Sequence, residues 1–189
     1  MSKINKGSSE DMIDYGESVL GVSMSGASVI ELGPGSGFAT KVIVARGAAS
    51  VTAIEPSRLF QQILSDDAEI SAAVDIGVLK IIPGVALSMP YVASSTVDAI
   101  FAMNVVYFLA PLDEYLKEIM RVLKPGGVVI FGYKAGVVNG NKNHFVNTDI
   151  TQIVSAMAAA GFADAKQESD RLKGAGSNRY TPIMGWKPA

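Results

Sequence analysis

Short apolar segments alternate with helical segments along most of this chain, and this alternation limits the fold more than any other feature of the sequence. The segments with strand character are SVIEL (28–32), VTAIE (51–55), LKII (79–82), VDAIFAM (97–103) and VVIFGY (128–133). VDAIFAM is almost entirely apolar, which is typical of a strand that is covered on both faces. The pattern predicts an open α/β sheet with helices on both faces.

The rest of the chain supplies the predicted helices and a C-terminal hairpin. Helices are predicted over residues 9–20, 37–46, 58–68, 112–123 and about 149–160, with Ser57 and either Thr148 or Asp149 as N-caps. KPGG (124–127) is predicted to end the fourth of these helices. The segment 135–147 is expected to be a polar loop, and the tail to form two strands, about 163–169 and 179–187, around the turn KGAGS.

Composition excludes several classes of protein. With 189 residues, of which 49% are hydrophobic, the chain can build one domain with a full core. Sixteen basic and eighteen acidic residues give a net charge of −2, so a nucleic acid is not expected as a partner. The absence of cysteine excludes disulfides, thiolate metal sites and thiol nucleophiles, and no metal site is predicted.

Hydropathy bears on the location of the protein. The longest apolar stretch is too short for a bilayer, which needs roughly 20 apolar residues, so membrane insertion is not expected. The N-terminal segment has no apolar region of the kind found in signal peptides. A cytoplasmic location is therefore the expectation.

The segment VIELGPGSGFAT (29–40) contains the end of the first predicted strand, with a carboxylate at Glu31, and the glycine-rich turn that follows it. In an open α/β sheet, ligands bind beyond the carboxyl ends of the strands. A dinucleotide site needs G-x-G-x-x-G, but Phe38 occupies the third glycine position and Gly37 comes one residue early. Glu31 would repel a pyrophosphate and attract a cation. The loop therefore favours S-adenosylmethionine, which carries an ammonium and a sulfonium, over NAD, although glycines that only shape a turn are the structural alternative.

Glu55 ends the second predicted strand, 24 residues after Glu31. A carboxylate at this place can accept hydrogen bonds from both ribose hydroxyls of a bound nucleoside, whether NAD or S-adenosylmethionine. Glu55 thus supports a nucleoside site without deciding between the two. A solvated acid at the strand end is the alternative.

Five segments resemble those of class I S-adenosylmethionine-dependent methyltransferases, in the order and spacing of that family. They are VIELGPGSG, AIEPS, IIPGVALSMPY, STVDAIFAMNVVYFL and LKEIMRVLKPGGVVIF, and together they extend over about residues 28–132. The nearest group resembles the small-molecule methyltransferases of ubiquinone and menaquinone biosynthesis. The resemblance implies a Rossmann-like fold whose seven-stranded, mostly parallel sheet ends in an antiparallel hairpin. It also implies an N-terminal helical segment (1–27) on the substrate side and a single methyltransferase domain (28–189).

The resemblance further implies a set of cofactor-binding residues. They are Glu31, Gly33, Pro34, Gly35, Ser36 and Gly37 at the methionine end, Glu55 at the ribose, Pro56, Ser57, Val85 and Ala86 around the adenosine, and Asn104 and Val105 under the methionine. Val85 departs from the family pattern, which has a polar residue there to hold the adenine amino group. Losing that hydrogen bond would cost about 0.5–1.5 kcal/mol.

Methyl transfer from a sulfonium is an in-line displacement, so the main task of such an enzyme is to position the nucleophile and exclude water. A general base is optional, and Tyr107, Tyr133 and His144 are the candidates in this chain. The expected acceptor is a small molecule, and the expected product is S-adenosylhomocysteine.

Two other interpretations stay open at this point. One is a non-catalytic methyltransferase-like subunit, which Val85 and the absence of an obvious base favour. The other, a nicotinamide oxidoreductase, is disfavoured by Glu31 and Phe38. Apolar surface on the N-terminal helix would make a homodimer plausible, although no segment demands one.

Overall fold

The computed structural model describes residues 6–18, 21–140, 145–171 and 179–189, and the predicted turn KGAGS lies outside them. Its strands form one seven-stranded sheet in the order β3-β2-β1-β4-β5-β7-β6. The strands are β1 (Ser28–Leu32), β2 (Ser50–Glu55), β3 (Leu79–Pro83), β4 (Val97–Met103), β5 (Leu123–Tyr133), β6 (Ala163–Gln167) and β7 (Thr181–Trp186). The predicted strands are all present.

The direction of the strands determines where a ligand can bind. β1 to β5 pair in parallel, and β7 runs antiparallel to both β5 and β6. The chain moves outward from β1 through β2 to β3 and then returns to place β4 on the other side of β1. This reversal opens a crevice at the carboxyl ends of β1 and β4, the usual ligand site of such sheets. The predicted Rossmann-like methyltransferase fold is confirmed.

Helices cover both faces of the sheet. They are α1 (Lys6–Ser18), α2 (Phe38–Ala45), α3 (Arg58–Asp66), α4 (Ala68–Asp75), α5 (Leu112–Val122), α6 (Ala135–Gly140) and α7 (Ile150–Ala159). α1 to α4 bury apolar residues in one core, and α5 and α7 bury theirs in the other. Among the residues described, no helix has both the length and the apolarity to cross a membrane.

Two local predictions were wrong, and one helix was missed. KPGG belongs to β5, which begins at Leu123 directly after α5 and pairs there with Val97 before the register shifts. The helix predicted over 58–68 is α3, but α4 was not predicted; Asp67 caps it by accepting from the amides of Glu69 and Ile70. The predicted loop 135–147 contains α6. Asp149, rather than Thr148, caps α7.

α1 is fastened to the body of the fold from its middle to its C-terminal end. Arg171 makes a bidentate ion pair with Asp11, at 2.5 and 2.9 Å, and the Tyr180 hydroxyl donates to the same carboxylate. Arg46 of α2 pairs with Asp14 and Glu17. The apolar residues Met12, Ile13 and Tyr15 are buried against the sheet within the chain. The apolar surface that would have favoured a homodimer is therefore used inside one protomer.

Candidate active site

A cleft of about 530 Å³ lies at the carboxyl ends of β1, β2 and β4. This volume is in the range of small-molecule sites. Of the thirteen residues that the resemblance implies for cofactor binding, twelve line it: Glu31, Gly33, Pro34, Gly35, Ser36, Glu55, Pro56, Ser57, Val85, Ala86, Asn104 and Val105. Gly37 does not.

The first two glycines of the loop form the floor of the cleft. Gly33 has a φ of 62°, and a Cβ there would lie 2.6 Å from Val105 Cγ2, so only glycine allows this approach. Gly35 has a φ of 55°, and a Cβ there would meet no atom within 4 Å. The backbone at Gly35 is therefore open to a ligand from the cleft side.

The third glycine has a packing role. Gly37 precedes α2 with a φ of 78°. A Cβ at this position would overlap Ile70 Cδ1 and lie 2.8 Å from Leu64 Cδ2, and both of these side chains are fully buried. Gly37 thus allows α2 to pack closely on α3 and α4.

This difference between the glycines is testable. Gly37→Ala combines a left-handed backbone with a buried overlap, so it is expected to lower the free energy of unfolding by about 1–3 kcal/mol more than Gly35→Ala does. Gly35→Ala is expected to cost mainly backbone strain and to weaken ligand binding instead. Urea unfolding of both variants measures the first effect. Equal losses of stability would contradict the packing role.

Glu31 is a buried acid at the end of β1, with only 5% of its surface exposed. Thr40 Oγ1 donates a 2.5 Å hydrogen bond to its Oε2. Burial raises the pKa of Glu31 to about 7; the charge of Glu55 adds to this rise, and the hydrogen bond from Thr40 opposes it. A cation arriving in the cleft would stabilise the ionised form.

Glu55 is held in a fixed orientation at the end of β2. The amide of Gly35 donates to its Oε2 at 3.0 Å, and the amide of Ser57 donates to its Oε1 at 2.9 Å. A carboxylate has about four acceptor sites, so it can accept further hydrogen bonds from a ligand. The geometry suits a ligand with two neighbouring hydroxyls.

The turn after β4 forms the opposite wall. Asn104 has a φ of 62°, a conformation that asparagine tolerates better than most residues. The backbone amide of Asn104 donates to Gly132 O, and the Tyr107 hydroxyl donates to the side-chain Oδ1 of Asn104 at 2.9 Å. These contacts hold Asn104 and Val105 against the cleft.

Two of the three candidate bases, Tyr107 and Tyr133, do not line the cleft. Tyr107 is fully buried beneath the wall, and burial, together with the neighbouring Tyr133, raises its pKa well above the ordinary value. Tyr133 is 3% exposed, and its hydroxyl donates to Thr148 O. Both rings belong to the core under α5 and α7. His144 lies outside the described residues.

Sequence reasoning missed several residues of the cleft. They are Ser9, Leu32, Phe38, Ile54, Phe60, Gly84, Met103, Phe108, Leu109 and Tyr115. Most of these lie within a few residues of predicted strand ends, so that position alone could have indicated them. Ser9 comes from α1, and nothing in the local sequence signals its presence in the cleft.

The comparisons with known proteins agree with this geometry. A family model described as "Methyltransferase domain" matches residues 30–131, which is more than half of the chain. The chain therefore belongs to this methyltransferase-domain family. No curated protein sequence matches the chain significantly.

Solved structures resemble the whole fold at low sequence identity. The [4+2]-cyclase SpnF is 20% identical, with a TM-score of 0.71, and the match covers 96% of this chain and 82% of that one. A SAM-dependent methyltransferase of Thermotoga maritima is 18% identical, with a TM-score of 0.68 and coverage of 98% and 90%. A phosphoethanolamine N-methyltransferase of Haemonchus contortus, in complex with S-adenosylhomocysteine, is 13% identical, with a TM-score of 0.67 and coverage of 87% and 49%. These likenesses establish the fold.

Proposed function

We propose that this protein is an S-adenosylmethionine-dependent methyltransferase that acts on a small-molecule acceptor and releases S-adenosylhomocysteine. The observation that carries the proposal is the pair of buried carboxylates, Glu31 and Glu55, on either side of an open glycine loop. Family membership supports methyl transfer. Because one structural neighbour is a cyclase, the fold alone does not fix the reaction.

The charges of the cleft fit this cofactor better than a dinucleotide. Among the described residues that line the cleft, two are acidic and none is basic. Glu31 would attract the ammonium of the methionine group, and Glu55 would accept from the ribose hydroxyls. A pyrophosphate would meet two carboxylates and no cation, which argues against NAD.

The adenine end would be held without a polar side chain at position 85. Val85 is half exposed and lines the cleft beside Phe60 and Ala86. Apolar contact with the base and hydrogen bonds to the backbone would hold the adenine there. Gly84 is fixed by donating from its amide to Glu55 O, which links this turn to the ribose site.

S-adenosylmethionine supplies a methyl group that is already activated for displacement. The residues of this chain would orient it, exclude water and leave room for the acceptor. We propose that the acceptor binds on the side of the N-terminal segment 1–27, from which Ser9 lines the cleft. No side chain of the described cleft is needed as a base in this arrangement.

Calorimetric titration of S-adenosylhomocysteine into the purified protein tests the cofactor site. We expect micromolar binding, with no response to NADH. If the protein bound neither S-adenosylmethionine nor S-adenosylhomocysteine, the proposal would be wrong. The transfer of a radiolabelled methyl group to quinols, amines and carboxylic acids then tests catalysis. Methylation of a quinol would support the resemblance to the methyltransferases of ubiquinone and menaquinone biosynthesis. Cofactor binding without transfer to any of them would favour the non-catalytic partner subunit.

A further inference from the structure

Tyr115 of α5 is the one buried tyrosine whose hydroxyl has no hydrogen-bond partner among the described residues. It is 6% exposed and lines the cleft. The hydroxyls of the other four buried tyrosines all donate to protein acceptors: Tyr15 to Met184 Sδ, Tyr107 to Asn104 Oδ1, Tyr133 to Thr148 O and Tyr180 to Asp11 Oδ2. A buried tyrosine hydroxyl usually has a partner, so the hydroxyl of Tyr115 indicates a polar group of a ligand.

The segment that follows β3 runs alongside α5 in matched steps. The amide of Met89 donates to Glu118 Oε1 at 2.5 Å. The guanidinium of Arg121 donates to the carbonyl oxygens of Met89 and Val92, each at 3.0 Å. Three residues of the segment therefore advance together with three residues of the helix, from the pair 89 and 118 to the pair 92 and 121.

One step of three residues back along both elements leads to Ala86 in the turn after β3 and to Tyr115 on α5. Both residues line the cleft and are buried in the same core cluster. Gly84 and Val85, which precede Ala86, also line the cleft. Of the lining residues that this turn and α5 supply, Tyr115 is the one with a polar side chain. Its hydroxyl is therefore the side-chain group that can form a hydrogen bond at this end of the cleft.

The connection of the turn to Glu55 favours the base of a nucleoside as the ligand group at this end. The amide of Gly84 donates to Glu55 O at 3.2 Å, so the turn begins beside the carboxylate that would hold the ribose. The base is attached to the ribose and would extend along Val85 towards Tyr115. A valine cannot accept a hydrogen bond from the amino group of adenine, whereas a tyrosine hydroxyl can.

We propose that Tyr115 is a cofactor-binding residue whose hydroxyl accepts a hydrogen bond from the 6-amino group of adenine. This inference rests on the proposed function. It gives the amino group an acceptor from α5, because the side chain of Val85 offers none. A ligand whose base lacks the amino group would leave the hydroxyl unpaired and would bind more weakly.

The surroundings of Tyr115 suit an uncharged base. Burial raises the pKa of Tyr115 above its ordinary value, and no charged side chain contributes to this rise. The phenol therefore stays neutral at neutral pH, and its oxygen has lone pairs for an amino donor.

Calorimetry with two ligands and two proteins tests this contact. The ligands are S-adenosylhomocysteine and its purine analogue, in which a hydrogen replaces the 6-amino group of the base. The wild type is expected to bind the analogue about five- to tenfold more weakly than S-adenosylhomocysteine. Tyr115→Phe, which removes the hydroxyl and keeps the ring, is expected to weaken S-adenosylhomocysteine by about the same factor and to change the affinity for the analogue by less than about twofold.

Tyr91→Phe is the matched control. Tyr91 lies in the same segment after β3 but is exposed and does not line the cleft, so both affinities are expected to stay at their wild-type values. Tyr115→Phe removes a hydroxyl without a partner among the described residues, so it is expected to fold and to be at least as stable as the wild type in urea.

Four results would overturn the inference. They are equal binding of the two ligands by the wild type, wild-type affinity of Tyr115→Phe for S-adenosylhomocysteine, an equal loss of affinity for both ligands in Tyr115→Phe, and a loss of stability in Tyr115→Phe. The third would mean that Tyr115 only shapes the cleft, and the fourth that its hydroxyl serves the fold. Failure of the wild type to bind either ligand would instead refute the proposed function.

Discussion

The Glu55→Gln variant is expected to bind S-adenosylhomocysteine about a hundredfold more weakly than the wild type. Glu55 would accept two hydrogen bonds from the ribose, and each bond to a charged group contributes about 1.5–3 kcal/mol. Its carboxylate also accepts from the amides of Gly35 and Ser57. A glutamine has one acceptor oxygen, so its NH₂ group would face one of these amides, donor against donor. The variant therefore loses ligand contacts and the shape of the loop together.

Calorimetry at pH 7.5 measures this loss, and Glu114→Gln is the matched control. Glu114 is exposed on α5 and does not line the cleft, so its substitution removes one charge and no predicted contact with the ligand. Its affinity is expected to stay within about twofold of the wild type. Equal affinity of Glu55→Gln and the wild type would mean that Glu55 only shapes the loop.

The sequence was sufficient to predict the glycine-loop side of the candidate site because the relevant residues are close together along the chain. Glu31 and Glu55 end adjacent parallel strands, and the carboxyl ends of such strands meet at one edge of a sheet. The glycine spacing identified the turn, but not the role of each glycine. Gly37 serves packing because residues of α3 and α4, more than 25 positions away, press against it.

The acceptor side could not be predicted in this way. Ser9 lies on α1, and only the packing of α1 against the sheet brings it to the cleft. Tyr107 and Tyr133 have the right chemistry for a base and the right place in the sequence, but both project into the core on the α5 side. Which face a strand residue occupies depends on register, and the shift near the start of β5 is invisible in the sequence.

Glu31→Gln is expected to stabilise the ligand-free protein at high pH. Burial raises the pKa of Glu31 from 4.5 to about 7, so the folded state holds a proton that the unfolded state releases between these two values. The stability contributed by the protonated Glu31 is complete below pH 4.5 and is lost as the pH rises to 7, a loss of about 3 kcal/mol in the free energy of unfolding. Glutamine does not titrate. Its amide oxygen can still accept from Thr40.

Urea unfolding at pH 5 and pH 8 measures this effect. Between pH 5 and pH 8, the free energy of unfolding of the wild type is expected to fall by about 2–3 kcal/mol more than that of Glu31→Gln. All other titrating groups are the same in the two proteins, so the difference reports Glu31 alone. An identical pH dependence in the two proteins would show that Glu31 is ionised in the fold well below pH 7.

The same substitution is expected to weaken ligand binding, which explains why an unfavourable buried acid is useful here. The ammonium of S-adenosylhomocysteine requires the ionised form of Glu31, so wild-type affinity should fall about five- to tenfold from pH 7.5 to pH 6.0, with uptake of a proton on release of the ligand. In Glu31→Gln the affinity should be lower at pH 7.5 and nearly constant over this range. An acid that destabilises the empty protein and is relieved by a cationic ligand trades stability for affinity at one site. If Glu31→Gln gained stability and kept its affinity for the ligand, Glu31 would not be a cofactor-binding residue.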